Sequence, residues 1–495
     1  MDDGHRTYLK ASSYIKKFAT LLTFLTFGQP VQAMDDLEIC RELLSRPSLI
    51  SARSFHPEKP TILVVDGYSS GRFLAPAFRR HEDLQLLHVH SRGKPVKSLY
   101  DRTFWPETYD RDMGFFGDLP AMIDNLKALN IVAVLPGADS GVLFADELST
   151  HLANSGLSIP SNGIEPGRKD KFLMAQRLKA AGIDSVKQIK TSNADEALAW
   201  IEHEKLFNAP SGVVVIKPIR DASSIGVTFV RSPEEVRSTF KELIGEKDSQ
   251  GNINAEILVQ EFLDGPEYVV NTTSRDGKHV VTDIWVYSKR MTPDGKHLIY
   301  HFDELLPFDG LAQQEVANYN FKVLSALGIK TGNGHAEIKM VPGRGPVLVE
   351  MNNRMMGSSQ PRLAELATGH SQIDRSVTAY KDPKFFETLN EGYRLKKHAI
   401  VYELAFFEEG QREVLSSRAA EVLEKIPGYV HHSFNFDVGE RVDPTIDLHS
   451  TGEVWLLNES RVLLMESVAK LQKLERDHAF TEPLERPARD LVPIP

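Results

Sequence analysis

Two runs decide the fold of this chain: His335-Ala-Glu-Ile-Lys339 and Val347-Leu-Val-Glu-Met-Asn-Asn-Arg354. Between them lies Pro342-Gly-Arg-Gly-Pro346, a sequence typical of a turn. Polar and apolar residues alternate in both runs, as they do in half-buried strands, so the sequence predicts a β-hairpin. Counting back through the turn places Glu337 close to Glu350, within about one residue of register.

The hairpin concentrates oxygen ligands on one face. Glu350, Asn352 and Arg354 are spaced by two, so an extended chain directs all three to the same side. Glu337 and Glu350 side by side would repel each other, and a cation between them would remove that repulsion. Carboxylate and amide oxygens suit Mg²⁺ rather than Zn²⁺. The alternative is a solvated polar face in which Arg354 forms a salt bridge.

A second candidate feature is a lysine followed by a loop of small residues. Lys217 ends a run of four apolar residues and precedes Pro218, and a buried ammonium there needs a partner. The loop 220–227, Arg-Asp-Ala-Ser-Ser-Ile-Gly-Val, is able to turn backbone N–H groups toward a phosphate. It is neither a Walker A loop nor a dinucleotide-binding Gly-x-Gly-x-x-Gly motif. The alternative is an ordinary connection between strands.

The third feature is Gln260-Glu-Phe-Leu-Asp-Gly-Pro-Glu267, where a strand ends, turns and restarts with an acidic residue. In a nucleotide site, Glu267 would accept hydrogen bonds from ribose hydroxyls, and residues from Glu261 to Leu263 would line the adenine. The alternative is a simple hinge between two strands.

Taken in order, these features resemble the ATP-grasp superfamily over about residues 60–390. The order is Lys171, Lys217 with its Ser/Gly loop, Gln-Glu-Phe-Leu-x-Gly-x-Glu, Glu337, and Glu350-x-Asn352-x-Arg354. The likeness is closest to the L-amino acid ligase branch, which joins amino acids into dipeptides. The chain is also similar to D-alanine–D-alanine ligases, although those typically carry Asp where Glu337 stands.

The resemblance implies an ATP-dependent carboxylate–amine ligase that forms an amide, in the closest branch a dipeptide, through an acyl phosphate and releases ADP and phosphate. The implied cofactors are ATP and Mg²⁺, with two ions expected and Mn²⁺ as the other candidate, and the implied partners are a small carboxylate and an amine. Carried over by motif, Lys171 and Lys217 would contact the ATP phosphates, under a lid of Ser223, Ser224 and Gly226. Glu261 and Leu263 would contact the adenine, and Glu267 the ribose. Glu337, Glu350 and Asn352 would be the metal ligands, and Arg354 would stabilise the tetrahedral intermediate. Lys217 and Arg354 are the catalytic candidates. The alternative within the same fold is a ligase of another acid–amine pair in natural-product biosynthesis.

The stretch Tyr300–Pro307 lies shortly before the hairpin. In the L-amino acid ligase branch a comparable stretch faces the amino-acid pocket. We therefore expect Glu304 to pair with a substrate ammonium, whose charge needs a partner once it is desolvated. The alternative is a surface carboxylate.

The alternation of strands and helices predicts an α/β protein, α+β in its central part, with the ATP-grasp fold. We expect a parallel α/β domain over residues 55–160, a two-lobed ATP-grasp domain over 161–390, a small α+β lobe over 391–480 and a frayed tail over 481–495.

Residues 1–33 have the layout of a signal peptide: Lys16 and Lys17, the largely apolar segment 18–27, then Val31-Gln-Ala33. The apolar segment is too short to cross a membrane, so no stable span is expected. The other interpretation is an extended start, with Met34 beginning the working protein. The requirement for ATP favours the second interpretation and a cytoplasmic location.

The composition is that of an ordinary globular protein, with 41% hydrophobic and 25% charged residues. The net charge of −10 argues against a generic nucleic-acid binder. Cys40 is the single cysteine, so no intrachain disulfide forms. His335, His431 and His432 lack partners at ligand spacing and are expected to be structural. A homo-oligomer is left open.

A rival interpretation comes from Gly67-Tyr-Ser-Ser-Gly71, which fits the nucleophile elbow of serine hydrolases. Few strands precede it, and no His-Gly oxyanion motif comes before it. We therefore expect a turn between a strand and a helix. The third class considered is an ATP-binding module without activity, against which the intact metal-ligand set and Arg354 argue.

Overall fold

The computed structural model describes residues 36–46, 53–91, 97–219, 226–247, 253–292, 298–406, 413–445 and 452–483. The signal-like segment 1–33, the lid candidates Ser223 and Ser224, and residues 484–495 of the tail lie outside the described residues.

The N-terminal part is a four-stranded parallel sheet with the strand order β3-β2-β1-β4. All five residues of its strand Thr61–Val65 are buried, as expected when helices cover both faces of a parallel sheet. The predicted parallel α/β region is confirmed. Its elements, after a preceding helix α1 (Asp36–Leu44), are β1 (Thr61–Val65), α2 (Leu74–Arg79), β2 (Gln85–Val89), α3 (Lys97–Thr103), β3 (Arg111–Asp112), α4 (Leu119–Lys127), β4 (Ile131–Pro136) and α5 (Val142–Asn154).

A smaller antiparallel sheet, with the order β5-β8-β6-β7, follows in the chain. Asp170 caps the helix that leads into it by accepting hydrogen bonds from the Phe172 and Leu173 N–H groups. The strand predicted over residues 213–217 is confirmed, displaced by one residue to Val214–Pro218. The elements are α6 (Lys171–Ala180), β5 (Gln188–Thr191), α7 (Ala194–His203), β6 (Val214–Pro218), β7 (Thr228–Val230), α8 (Pro233–Leu243) and β8 (Ile257–Glu261).

The largest sheet has eight strands in the order β13-β12-β9-β10-β11-β14-β17-β16, all paired antiparallel. Its elements are β9 (Glu267–Arg275), β10 (Lys278–Met291), β11 (Leu298–Leu305), α9 (Leu311–Ala326), β12 (Gly332–Val341), β13 (Gly345–Asn352), α10 (Gln360–Thr368), α11 (Gln372–Lys381), α12 (Pro383–Glu387), β14 (His398–Leu404), β15 (Glu413–Leu415), α13 (Ala419–Glu424), β16 (Tyr429–Phe434), β17 (Gly452–Asn458), α14 (Arg461–Arg476) and β18 (Thr481–Pro483). Helix α9 packs with Val270 and Ala336 on one face, and α10 packs with Val269 and Val401 on the other.

The boundary expected near residue 390 does not divide this sheet. Strand β14 pairs directly with β11, so the C-terminal strands extend the sheet that carries the hairpin. Helix α1, which was not predicted, is part of the same core, because Cys40 is fully buried in a cluster with Trp285 and Trp455. Within the described ranges, we find no helix with both the length and the apolar character that a membrane crossing requires.

Candidate active site

The hairpin prediction is confirmed in its pairing. Strands β12 and β13 place Glu337 directly opposite Glu350, and His335 opposite Asn352. The side chains of Glu337 and Glu350 are 18% and 17% exposed, so both carboxylates are largely buried yet reachable from solvent. Asn352 is buried beside them. Three oxygen-donor side chains therefore share one end of the large sheet.

Two lysines from the preceding segment of the chain act on these carboxylates, Lys171 by direct contact and Lys217 through its charge. Lys171, at the start of α6, places Nζ 3.2 Å from Oε2 of Glu350. Burial alone would raise the pKa of Glu350, but the charges of Lys171, Lys169 and Lys217 together outweigh burial and hold that pKa below its usual value. Burial, together with repulsion from Lys171, lowers the pKa of Lys217 to about 8 although the charges of Glu350 and Glu337 act the other way. The site thus concentrates opposite charges in a desolvated position.

His335, which the sequence predicts to be structural, contacts the hairpin carboxylate of Glu337. Its Nδ1 lies 2.9 Å from Oδ1 of Asn271, and its Nε2 lies 3.6 Å from Oε1 of Glu337. Asn271 donates in turn to the buried carboxylate of Asp283. The spacing of two between His335 and Glu337 on a predicted strand was the available signal. Through these contacts, Asp283 and Asn271 position the His335 ring beside the Glu337 carboxylate.

Arg354 lies just past β13, where the predicted alternation stops. Its Nη1 donates to the Met355 carbonyl at 2.7 Å, and its Nε lies 3.9 Å from Oδ1 of Asp139. Asp139 comes from the turn after β4, and it also forms an ion pair with Lys169. Sequence reasoning named neither Asp139 nor Lys169. The signal for Asp139 was its place after the carboxyl end of a buried parallel strand, where ligands often bind.

The residues expected around adenine and ribose lie between the two antiparallel sheets. Glu261 accepts hydrogen bonds from the Lys187 N–H and from Nη1 of Arg344, both at 2.8 Å. Leu263 is buried. Gly226 has φ +69°, a backbone conformation that glycine adopts easily.

Glu267 is buried between two lysines, with Oε1 2.8 Å from Lys289 Nζ and Oε2 3.2 Å from Lys339 Nζ. Burial raises its pKa, and these two lysines reverse that effect and lower the pKa. Its contact with a ribose, like the adenine contacts of Glu261 and Leu263, stays a prediction.

The expectation for Glu304 needs correction. Its carboxylate forms an ion pair with Arg461 of α14, so its charge is already met within the chain. Glu304 pairs with Ile400, on the face that α14 covers, whereas its neighbour Asp303 pairs with Val401 on the opposite face. The two adjacent acids therefore point to opposite faces of the sheet, because a shift of one residue exchanges the faces, and the contact of this stretch with a substrate stays a prediction.

The Gly67–Gly71 motif forms a packed turn. Ser69 begins a 3₁₀ helix, and a Cβ on Gly71 would lie 2.5 Å from the Gly137 Cα, so the two turns meet without room for a side chain. Among the described residues, no histidine hydrogen-bonds to the Ser69 hydroxyl. The described residues thus place no general base on Ser69 of the kind that a serine hydrolase requires.

One histidine cluster, His88, His90 and Asp112, brings potential metal ligands together. The Gly67 N–H donates to Nε2 of His88, which fixes the His88 proton on Nδ1, and Nδ1 lies 2.9 Å from Oδ1 of Asp112. Neither ring nitrogen of His88 retains a free lone pair for a metal.

The other histidine pair is structural, as expected. His431 packs edge-on against Trp455, and His432 Nδ1 lies 2.6 Å from the Tyr429 hydroxyl. Burial lowers the pKa of His431 to about 4, helped by His432 and Arg72, so it is uncharged at neutral pH.

Comparison with known proteins agrees with this geometry. Residues 211–361 match the model of the ATP-grasp domain. Dapdiamide A synthase of Enterobacter agglomerans is 29% identical over 427 residues, covering 85% of this chain and 96% of that relative. D-alanine–D-alanine ligase of Carboxydothermus hydrogenoformans is 28% identical over 120 residues, covering 24% of this chain and 36% of that relative.

Two solved structures show the same fold. The L-amino acid ligase from Bacillus licheniformis has a TM-score of 0.61 at 16% identity and covers 85% of this chain and 98% of its own. The N5-carboxyaminoimidazole synthase from Aspergillus clavatus, solved with ADP and 5-aminoimidazole ribonucleotide, has a TM-score of 0.58 at 13% identity and covers 84% and 98%. The expected ATP-grasp fold is confirmed. The chain therefore contains an ATP-grasp domain and is an ATP-dependent ligase of the class that forms carbon–nitrogen bonds.

Proposed function

We propose that this enzyme phosphorylates the carboxylate of one amino acid with ATP and transfers the acyl group to the amine of a second, releasing a dipeptide, ADP and phosphate. The observation that carries the proposal is the meeting of Lys171, Lys217, Glu337, Glu350 and Arg354 at one end of the large sheet. Phosphoryl transfer depends mainly on positioning and charge neutralisation, and these groups supply both.

Lys171 and Lys217 are assigned to the ATP phosphates. Lys217 is buried and surrounded by charges of both signs, so a bound triphosphate would stabilise its ammonium form. Lys171 already pairs with Glu350 and would be shared between that carboxylate and a phosphate.

Glu337, Glu350 and Asn352 fit Mg²⁺. Two facing carboxylates and an amide oxygen form a hard donor set, and the lowered pKa of Glu350 keeps it ionised at neutral pH. Bound Mg²⁺ would neutralise the phosphate charge during transfer. His335 would hold Glu337 in orientation for this role.

Arg354 is assigned to the oxyanion that forms when the amine attacks the acyl phosphate. Its guanidinium is largely buried, with 14% of the side chain exposed, and a fixed donor in a desolvated site stabilises developing negative charge. Attack forms the C–N bond, the C–O bond to phosphate then breaks, and the amine gives up a proton.

Asp303 replaces Glu304 as the proposed partner of a substrate ammonium. Gln360 donates to its Oδ2 at 2.8 Å, while its Oδ1 is buried without a hydrogen-bond partner among the described residues. Burial raises the pKa of Asp303 to about 8, against the influence of Gln360 and Lys289 and with that of Glu267 and Glu337. An ammonium beside Oδ1 would stabilise the ionised form and satisfy that oxygen.

The second candidate is a ligase for another acid–amine pair. It is favoured by the relative dapdiamide A synthase, which aligns over nearly its whole length. In this version the ATP and metal sites keep their roles, and the acid differs.

The test is mass spectrometry of mixed L-amino acids incubated with the enzyme, ATP and Mg²⁺. We expect a dipeptide that is strongly reduced in D303N and little changed in the matched variant E304Q. ATP turnover that requires a carboxylic acid other than an amino acid would exclude the dipeptide proposal in favour of the second candidate.

A further inference from the structure

Asp139 is a charged residue of the N-terminal domain that lies beside Arg354 of the candidate site. One carboxylate oxygen, Oδ2, pairs with Lys169, two residues before Lys171. The other, Oδ1, is buried, has no hydrogen-bond partner among the residues that the structure describes, and lies 3.9 Å from Nε of Arg354. A buried carboxylate oxygen without a partner is costly unless a cation or donor meets it, and Arg354 is the guanidinium beside it.

The turn that carries Asp139 is held by hydrogen bonds from the neighbouring residue Ser140. Ser140 donates to Oδ2 of Asp66 at 2.5 Å and shares a 2.6 Å hydrogen bond with the Tyr68 hydroxyl. Asp66 has a φ of +54°, and its carboxylate also accepts hydrogen bonds from Ser91. A residue in this sparsely populated conformation persists only when its surroundings determine it.

Close backbone packing adds to this constraint. A Cβ on Gly137 would lie 2.5 Å from the Asp66 carbonyl oxygen, just as one on Gly71 would meet Gly137. The Gly67–Gly71 turn and the turn after β4 are therefore in close backbone contact, with no room for a side chain at Gly71 or Gly137. The resemblance to a nucleophile elbow is explained by this packing requirement.

We infer that Asp139 is a positioning residue that orients the Arg354 guanidinium toward the oxyanion. The inference rests on the proposed function for the role of Arg354, but the contact itself does not depend on catalysis. In the proposed role, Oδ1 accepts a hydrogen bond from Nε and the Met355 carbonyl accepts one from Nη1, which leaves Nη2 to face the oxygen of the reacting carbon. The N-terminal domain would thereby set the geometry of a residue that belongs to the large sheet.

The first test is a double-mutant cycle on kcat, using D139N, R354A and the double variant. D139N is expected to lower kcat on the order of tenfold to a hundredfold with little change in the KM for ATP. In the R354A background the same change should lower kcat less than about threefold, because the group being oriented is gone. Equal losses in both backgrounds would overturn the inference.

The second test needs no activity and so separates this inference from the proposed function. In ¹H–¹⁵N spectra of arginine side chains, the Arg354 Nε–H signal, assigned by its loss in R354K, should be slow to exchange with water. D139N should speed that exchange, whereas D146N, which removes the buried partner of Arg168, should not. An Arg354 signal unchanged by D139N would contradict the inference even in an active enzyme. Absence of ligase activity with this signal behaving as expected would overturn only the proposed function.

Discussion

The large sheet contains two pairs of glutamates that face each other across neighbouring antiparallel strands. Glu337 faces Glu350 on β12 and β13, and Glu403 faces Glu453 on β14 and β17. Near the first pair lie Lys171 and Lys217, whose charges help to keep the pKa of Glu350 low against the effect of burial. At the second pair burial raises the pKa of Glu453.

The difference lies in the neighbours, since the backbone arrangement is the same. Burial raises the pKa of Glu453 and outweighs the charge of Arg72 and the hydrogen bonds that its carboxylate accepts from the hydroxyls of Ser358 and Ser433, all of which act to lower that pKa. Two facing carboxylates therefore indicate a cation site only where other residues favour the ionised forms. We assign a metal to the first pair and a structural role to the second.

The largest expected effect comes from neutralising one glutamate in each pair. E350Q removes a charge from the proposed metal site, and turnover at saturating ATP should fall about a thousandfold, while E453Q should stay within a few-fold of wild type. The measurement is ADP release across a Mg²⁺ titration, with circular dichroism to confirm that both variants fold. Comparable losses in the two variants would mean that the pairs do not differ in function.

Removing a lysine beside the first pair should have a smaller effect. K217A is expected to weaken ATP binding about tenfold to a hundredfold, because a buried charged hydrogen bond to phosphate is lost. Lys425 provides the matched control. It lies at the C-terminal end of α13 and forms an exposed ion pair with Glu421 of the same helix. Calorimetric titration with Mg²⁺ and ATP decides the point. Equal affinity of K217A and K425A would remove Lys217 from the phosphate site.

The smallest effect is on the pH dependence of stability, and its sign differs between the pairs. A raised pKa means that folded Glu453 binds its proton more tightly than the unfolded chain does, so its contribution to stability falls as pH rises above about 4.5. Glu350 has a lowered pKa, so its contribution is present above about 4.5 and is lost as pH falls.

Urea unfolding of wild type, E453Q and E350Q between pH 4 and 7 measures these contributions. The free energy of unfolding of wild type relative to E453Q should decrease with rising pH, by at most about 1.4 kcal/mol per pH unit, and that relative to E350Q should increase. If both differences in the free energy of unfolding changed with pH in the same direction, the two glutamate pairs would carry similar charge.

Local patterns in the sequence predicted the hairpin and its register. Period-two alternation and a Gly-Pro turn are short-range signals, so Glu337 was correctly placed beside Glu350. The face of Glu304 was misjudged because it is set by pairing with β14, far along the chain. Asp139 and Lys169 were missed because the ion pairs of Asp139 with Lys169 and with Arg354 join residues that are far apart in the chain. These pairs depend on how the N-terminal domain packs against the rest of the protein.

The burial of α1 shows the same limit at the level of packing. Nothing in the nine residues Asp36–Leu44 indicates that Cys40 will be enclosed by side chains from β10 and β17. The second glutamate pair could not be found from sequence either, since Glu403 and Glu453 lie in separate strands with a helix and two other strands between them.

The central claim is an acyl phosphate formed at the first glutamate pair, and oxygen transfer tests it most directly. The acid substrate is labelled with ¹⁸O in its carboxylate, and the products formed with ATP and Mg²⁺ are analysed by ³¹P NMR. Attack of the carboxylate on the γ-phosphate predicts one ¹⁸O in the released inorganic phosphate, with unlabelled ADP. Label in AMP, with pyrophosphate as the other product, would show an adenylate intermediate and contradict the account.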